Sequence, residues 1–139
     1  MNQKNVPFLI VDDEPEMCWI LEIILGKKGL PCLKAGNARE AITLMEKQSF
    51  RMAFLDAKLP DFDGLKLARM LRKFDPNLPI AIVSGYFYQD DPTIRKAIQK
   101  GLINVFVSKP FLHDEIERVI ARYAPPVGKD FPSLREWVP

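Results

Sequence analysis

The chain has 139 residues, 47% hydrophobic and 27% charged, with a formal net charge of +2 at pH 7. Its length predicts a single domain with room for a proper core. The small net charge argues against nucleic-acid or membrane binding by bulk electrostatics, and neither sign dominates any long segment.

No stretch approaches the ~18 consecutive apolar residues of a membrane-spanning helix. Asp12, Asp13 and Glu14 interrupt the only apolar run near the N-terminus, so no secretory signal is read there. Cys18 and Cys32, both in apolar surroundings, read as buried free thiols of a cytoplasmic chain. His113 is the single histidine, which excludes a multi-histidine metal site.

Strand-like and helix-like segments alternate from end to end. Val6 to Val11 reads as a first strand and Pro15 to Lys28 as a helix, with Trp19, Ile20, Ile23 and Ile24 on its apolar stripe and Gly29 as its stop. Pro31 to Ala35 is a short second strand, placed at an edge where proline is tolerated. Asn37 with Glu40 resembles a capping box and opens a helix to about Gln48, with Ala41, Ile42, Leu44 and Met45 facing the core. Arg51 to Leu55 is the third strand. Asp63-Gly64 opens a helix through Phe74, with Leu65, Leu67, Ala68 and Leu71 inward, and Asp75-Pro76-Asn77 turns the chain.

Leu78 to Val83 is the fourth strand. Asp91-Pro92 starts the next helix with an acidic N-cap and proline at its first position, and Gly101 stops it. Ile103 to Val107 is the fifth strand and Leu112 to Tyr123 the last helix. This alternation predicts βαβ units: a doubly wound parallel α/β sheet with helices on both faces. Residues 1–124 form the predicted domain. Residues 125–139 hold four prolines and one glycine and read as a tail or the start of a linker, although Phe131, Leu134 and Trp137 recur at a spacing that would let part of it dock.

Charge interrupts the apolar runs at telling places. Asp12 and Asp13 follow Phe8 to Val11, Asp56 follows Met52 to Leu55, and Lys109 follows Val105 to Ser108. In an open parallel sheet the carboxyl ends of neighbouring strands lie side by side, and ligands bind there. Three carboxylates and one ammonium gathered at that edge suit a divalent cation and a phosphoryl group.

These residues resemble a known family. Asp12-Asp13, the run Asp56-Ala57-Lys58-Leu59-Pro60-Asp61-Phe62-Asp63-Gly64, Ser84-Gly85 and Lys109-Pro110-Phe111 look like the signature of two-component response-regulator receiver domains, across about residues 6 to 123. The resemblance implies a flavodoxin-like fold with strand order 2-1-3-4-5. It implies Asp56 as phosphoacceptor, receiving a phosphoryl group from a sensor histidine kinase or phosphotransfer protein. Mg²⁺ would be held by Asp13, Asp56 and the backbone carbonyl of Lys58, with Asp12 acting largely through water. Lys109 would pair with Asp56 and then with phosphoryl oxygens, to which Ser84 would donate its hydroxyl, and a cis peptide would precede Pro110.

Phe106 falls at the family's aromatic switch position; the alternative is a plain core phenylalanine. With Ser84 it would repack the surface of the fourth helix, fifth strand and fifth helix, where a phosphorylation-dependent homodimer is the expected output. Lys58 and Tyr86 would flank the path of attacking water and tune the lifetime of the phosphorylated state. Glu14 reads as first-turn helix charge, and Asp61 and Asp63 as loop and cap residues.

The chain departs from the family between Ser84 and Lys109, which is longer than usual. The surplus falls in Tyr86 to Asp90 and near Leu102 to Asn104, putting the shape of the output face in question. Two other functions fit the same residues: a small aspartyl-phosphate phosphohydrolase, or a degenerate receiver serving only as an interaction module. The first needs an acid two residues after the nucleophile, where Lys58 stands. The expectation is therefore a non-enzymatic phosphoacceptor in the cytoplasm, with no direct nucleic-acid or membrane contact.

Overall fold

In the computed structural model, which describes residues 6–85 and 91–124, five strands and five helices alternate. They are β1 (Phe8–Val11), α1 (Pro15–Lys27), β2 (Cys32–Ala35), α2 (Ala38–Lys47), β3 (Ala53–Leu55), α3 (Gly64–Phe74), β4 (Ile80–Ser84), α4 (Pro92–Gln99), β5 (Val105–Ser108) and α5 (His113–Tyr123). The strands form one sheet in the order β2-β1-β3-β4-β5, and every neighbouring pair is parallel. The doubly wound reading holds.

Side chains alternate across a strand, and here both faces are covered. Leu9, Val11, Ala53, Leu55, Ile80 and Ile82 join the core beneath α2, α3 and α4. Phe8, Ile10, Phe54, Ala81 and Val83 join the core beneath α1 and α5. That double burial explains why the strands read as continuous apolar runs instead of alternating ones.

Helix ends follow the sequence signals. Asp63 accepts from the Leu65 amide at 2.7 Å, Asp91 from Thr93 at 2.8 Å and Asn37 from Glu40 at 2.9 Å. The Glu40 carboxylate reaches the Gly36 amide at 2.7 Å, one residue earlier than a capping box would have it. Gly29 and Gly101 take φ of 69° and 75°, and the Leu30 and Leu102 amides donate back to Leu25 and Ala97 at 3.0 and 2.9 Å. These are Schellman endings, and the left-handed residue in each is glycine because a Cβ would be strained there.

Several readings need correction; β1, β3 and β5 begin at Phe8, Ala53 and Val105, each two residues after the expected start. Trp19 is not on the inward stripe of α1: it is 62% exposed, while Cys18, Leu21, Ile24 and Leu25 are buried. Apolar residues occupy nearly every face of α1, so period alone could not phase it. β4 begins at Ile80 instead of Leu78, because Pro79 has no N–H to give the ladder, although its carbonyl accepts from Ala53 at 2.9 Å. Both cysteines are free thiols, Cys18 buried and Cys32 partly so, and burial raises each thiol pKa. Among the described residues no helix is long and apolar enough to cross a membrane.

Candidate functional site

The sheet order sets the site. β1 and β3 are neighbours, and the Asp56 amide donates to the Val11 carbonyl at 2.9 Å while the Asp12 amide donates to Ala35 at 3.0 Å. Backbone pairing thus places the two carboxylates side by side just past the strand ends. On the other flank β4 pairs with β5 up to Ser84 opposite Ser108. The Lys109 amide then donates to the Ser84 carbonyl at 3.0 Å. The Lys109-Pro110 peptide is cis.

Lys109 is the hub. Its ammonium lies 2.7 Å from Glu14 Oε1, 2.9 Å from Asp12 Oδ2 and 3.5 Å from Asp56 Oδ2. Only 12% of its side chain is exposed. Burial pulls its pKa down, but the hydrogen bonds to Glu14 and Asp12 and the charges of Asp12 and Asp56 outweigh this and hold it above the ordinary lysine value. The lysine is therefore a fixed positive charge.

Asp12 responds in the opposite balance. Burial pushes its pKa up, aided by the nearby Asp56, and the bonds from Lys109 and from the Glu14 amide offset only part of that rise. The two directions agree physically: one ammonium faces more carboxylates than it can neutralise. Ligand oxygens of Asp12, Asp13 and Asp56 can all lie within 4.8 Å of one another, with Asp12 and Asp56 buried and Asp13 exposed. Such an oxygen-only set, open on the Asp13 side, fits a hard divalent cation that keeps several waters, and Mg²⁺ most simply.

Asp56 is held at both oxygens. Oδ2 faces Lys109, and Oδ1 accepts from the Lys58 amide at 3.3 Å. The loop after it folds back on itself: the Leu59 amide donates to Phe62 at 3.1 Å and the Gly64 amide to Ala57 at 2.8 Å. A Cβ at Gly64 would collide with the Asp56 carbonyl and sit 2.8 Å from Ala57 Cα. Glycine is needed there for close approach, so that the backbone of α3 can press against the residue under Asp56.

Ser84 is buried at 1% exposure. Phe106 is also buried. It pairs across the strands with Ile82, two residues before Ser84, which puts Ser84 and Phe106 on one face of the sheet. Lys58 has an exposed side chain. Tyr86 lies outside the described residues, as does most of the surplus between Ser84 and Lys109.

Two contacts were not foreseen. Glu14, read only as helix charge, makes the shortest contact to Lys109; its place directly after the acid pair was the available signal. Asp61, read as a loop residue, caps a different helix. It accepts from Ala38 at 2.9 Å and Arg39 at 3.1 Å at the start of α2, and nothing local in the sequence reveals a partner so distant.

A parallel sheet in this order, with acids after β1 and β3 and a lysine after the edge strand β5, is a flavodoxin-like architecture with an anionic mouth. The chain belongs to the response regulator receiver domain family, whose profile matches residues 8–121. It is 34% identical over 113 residues to the response regulator protein PilR of Pseudomonas aeruginosa, covering 81% of this chain and 25% of that protein. To sporulation initiation phosphotransferase F of Bacillus subtilis it is 30% identical over 125 residues, covering 90% of this chain and 96% of that one. Among solved structures, a response regulator receiver domain protein of Methanospirillum hungatei matches with a TM-score of 0.76 at 25% identity, over 84% of this chain and 90% of that one. The chain thus spans about a quarter of PilR but nearly all of the sporulation protein.

Proposed function

We propose that this receiver domain is a phosphoacceptor whose Asp56 takes a phosphoryl group from a phosphohistidine on a sensor kinase or phosphotransfer protein. The observation that carries this reading is the single ammonium of Lys109 set among Asp12, Glu14 and Asp56 beside a three-carboxylate cluster. A carboxylate oxygen of Asp56 attacks phosphorus. The P–O bond of an acyl phosphate forms as the P–N bond to the donor imidazole breaks, and the electron pair leaves with the ring nitrogen.

Asp12, Asp13 and Asp56, with the Lys58 carbonyl, would hold Mg²⁺, which when bound supplies charge neutralisation to the phosphoryl oxygens. Lys109 would exchange its contact with Asp56 for a phosphoryl oxygen, and the Ser84 hydroxyl would donate to another. Because Phe106 lies on the same face as Ser84, a shift of Ser84 leaves room for the ring to repack. The surface of α4, β5 and α5 would then change, offering a dimer or partner face as output. Lys58 and Tyr86 would set how easily water reaches phosphorus.

The donor protein needs a place to dock. Trp19 and Leu112 are 62% and 67% exposed. Each lies shortly after a site residue in the chain, at the starts of α1 and α5, which pack on the same side of the sheet. An apolar rim beside a charged mouth is the pattern of a partner surface. The phosphohydrolase alternative loses support from Lys58, whose ammonium cannot supply a leaving-group proton as a carboxylic acid would.

The deciding experiment is to incubate the chain with Mg²⁺ and acetyl phosphate and measure the intact mass. Gain of one phosphoryl group, lost in Asp56→Asn, is the expected result. Turnover of the donor without an adduct would favour the hydrolase, and neither adduct nor turnover would favour an interaction module.

A further inference from the structure

The helices on one face of the sheet carry a charge asymmetry that the phosphoacceptor site does not use. Within its helical span α3 has four basic residues and no acid, and α4 has two and no acid; of their caps, Lys100 is basic and Asp63, Asp75 and Asp91 are acidic. Between them runs a groove of about 450 Å³. Arg69, Arg72, Lys96 and Lys100 line it, and among the described residues no acidic side chain does.

Some cations elsewhere have acidic partners. Lys28 pairs with Glu117, Lys34 with Glu22 and Arg118 with Asp114. Among the described residues, Arg69, Lys96 and Lys100 have no ion pair. Arg72 gives its guanidinium to neutral oxygens of Pro76, Leu78, Leu102 and Asn104. Those bonds fix its position, and the nearby acid that acts on its charge is Asp75 at the end of α3. Like charges three and four residues apart on a helix repel, so α3 carries its cations at a cost that an anionic partner would relieve.

The groove also has an apolar floor. Leu65 and Ala97 are buried beneath it and Leu102 partly so. That floor separates two kinds of polyanion. A single-stranded nucleic acid is held by aromatic stacking as well as charge, and among the described residues no aromatic lines the groove. A protein helix with glutamates or aspartates on its flanks and an aliphatic ridge between them matches both rim and floor.

We propose that the groove between α3 and α4 docks an acidic amphipathic segment of a partner protein. This surface is distinct from the mouth around Lys109 and from the face of β5 and α5, and it stands whether or not Asp56 is the acceptor.

The test uses the full chain and three labelled probes. They are a short amphipathic peptide with glutamates on its flanks and leucines on its ridge, the same peptide with each leucine replaced by serine, and a single-stranded oligonucleotide. The leucine peptide should bind, with amide shifts confined to α3, α4 and the turn after α4. Arg69→Glu with Lys96→Glu should weaken it by about tenfold or more. Lys27→Glu with Lys47→Glu, the same charge change on α1 and α2, should not. Circular dichroism and acetyl phosphate labelling serve as fold controls, since none of these residues touches the acid cluster. Equal losses in both double variants, or equal binding of the serine peptide, would reduce the groove to unspecific charge and overturn the proposal. Tighter binding of the oligonucleotide would overturn it in favour of a nucleic-acid partner.

Discussion

Lys109 at one end of the sheet and Arg72 at the other are treated in opposite ways; Arg51, buried over the Phe8 ring, is a further cation at the amino end. At the carboxyl ends of the strands, Lys109 is set among Glu14, Asp12 and Asp56. At the amino ends, Arg72 reaches from α3 to the carbonyls of Pro76, Leu78 and Leu102 and to Asn104 Oδ1 at 3.1 Å. Asn104 in turn accepts from the Ile80 amide at 2.9 Å. Arg72 therefore stitches α3, the start of β4 and the approach to β5 with fixed dipoles. The lysine end keeps more negative charge than it can neutralise, which costs stability and suits the proposed cation and phosphoryl group. Surplus charge marks the end proposed to accept phosphate, and the dipole-held Arg72 marks the end that ties elements of the fold together.

The largest expected effect separates the two ends by function. Asp56→Asn should abolish labelling by acetyl phosphate, because an amide is not a carboxylate nucleophile, and should leave the unfolding midpoint at or slightly above that of the wild type. Intact mass and thermal unfolding check both halves. Full labelling in the variant would place the acceptor elsewhere.

Arg72→Met should do the reverse. The methionine keeps much of the apolar stem but strands several carbonyls and the Asn104 side chain, a loss of about 2–3 kcal/mol in a denaturant titration. Labelling should persist at temperatures where the variant is folded. A neutral result would mean that Arg72 is held by the fold instead of holding it.

A smaller effect comes from the surplus itself. Filling the acid cluster should raise the melting temperature in millimolar Mg²⁺, by linkage of about 1–2 kcal/mol when the ion is some tenfold or more above its dissociation constant. Asp13→Asn should remove most of that rise, and an undiminished rise would move the metal site elsewhere. Smaller still, Lys58→Asn with Tyr86→Glu should shorten the phosphorylated lifetime severalfold, by offering water a polar route to phosphorus. Loss of phosphoryl after donor removal, followed by mass, checks this. Unchanged decay would leave the lifetime to the acyl phosphate itself.

Much of this contrast was legible before any coordinates. Asp12, Asp56 and Lys109 each interrupt an apolar run, and parallel strands bring such interruptions to one edge, so the lysine end could be read from the sequence. The arginine end could not. Arg72 looks like one more polar residue on an amphipathic helix, and its acceptors are mostly backbone carbonyls, which have no sequence signature. The phase of α1 was also hidden, since its apolar residues surround it and only packing against the sheet and α5 turns Trp19 outward. The basic groove escaped for another reason: no long segment is dominated by one sign, and the asymmetry exists only where α3 and α4 lie together.

The smallest effect concerns Asp61, which sits at the lysine end yet behaves like the arginine end. Its carboxylate accepts from Ala38 and Arg39, tying the loop after Asp56 to the start of α2. The Ala38 amide lowers its pKa below the ordinary 3.8; burial opposes this, and the Arg39 amide adds to the lowering. The folded state therefore prefers the ionised form more than the unfolded chain does. The stabilisation is fully present above the unfolded value and is lost as pH falls through the depressed folded one. Because the group is exposed, solvent screens the gain and it should be slight. Asp61→Asn keeps an acceptor oxygen but no charge, so it should be modestly less stable than wild type near neutral pH. The gap should narrow once pH drops below about 4. Urea midpoints measured for both proteins down to about pH 3 check this. A gap that stays constant with pH would show that the contact works through geometry alone.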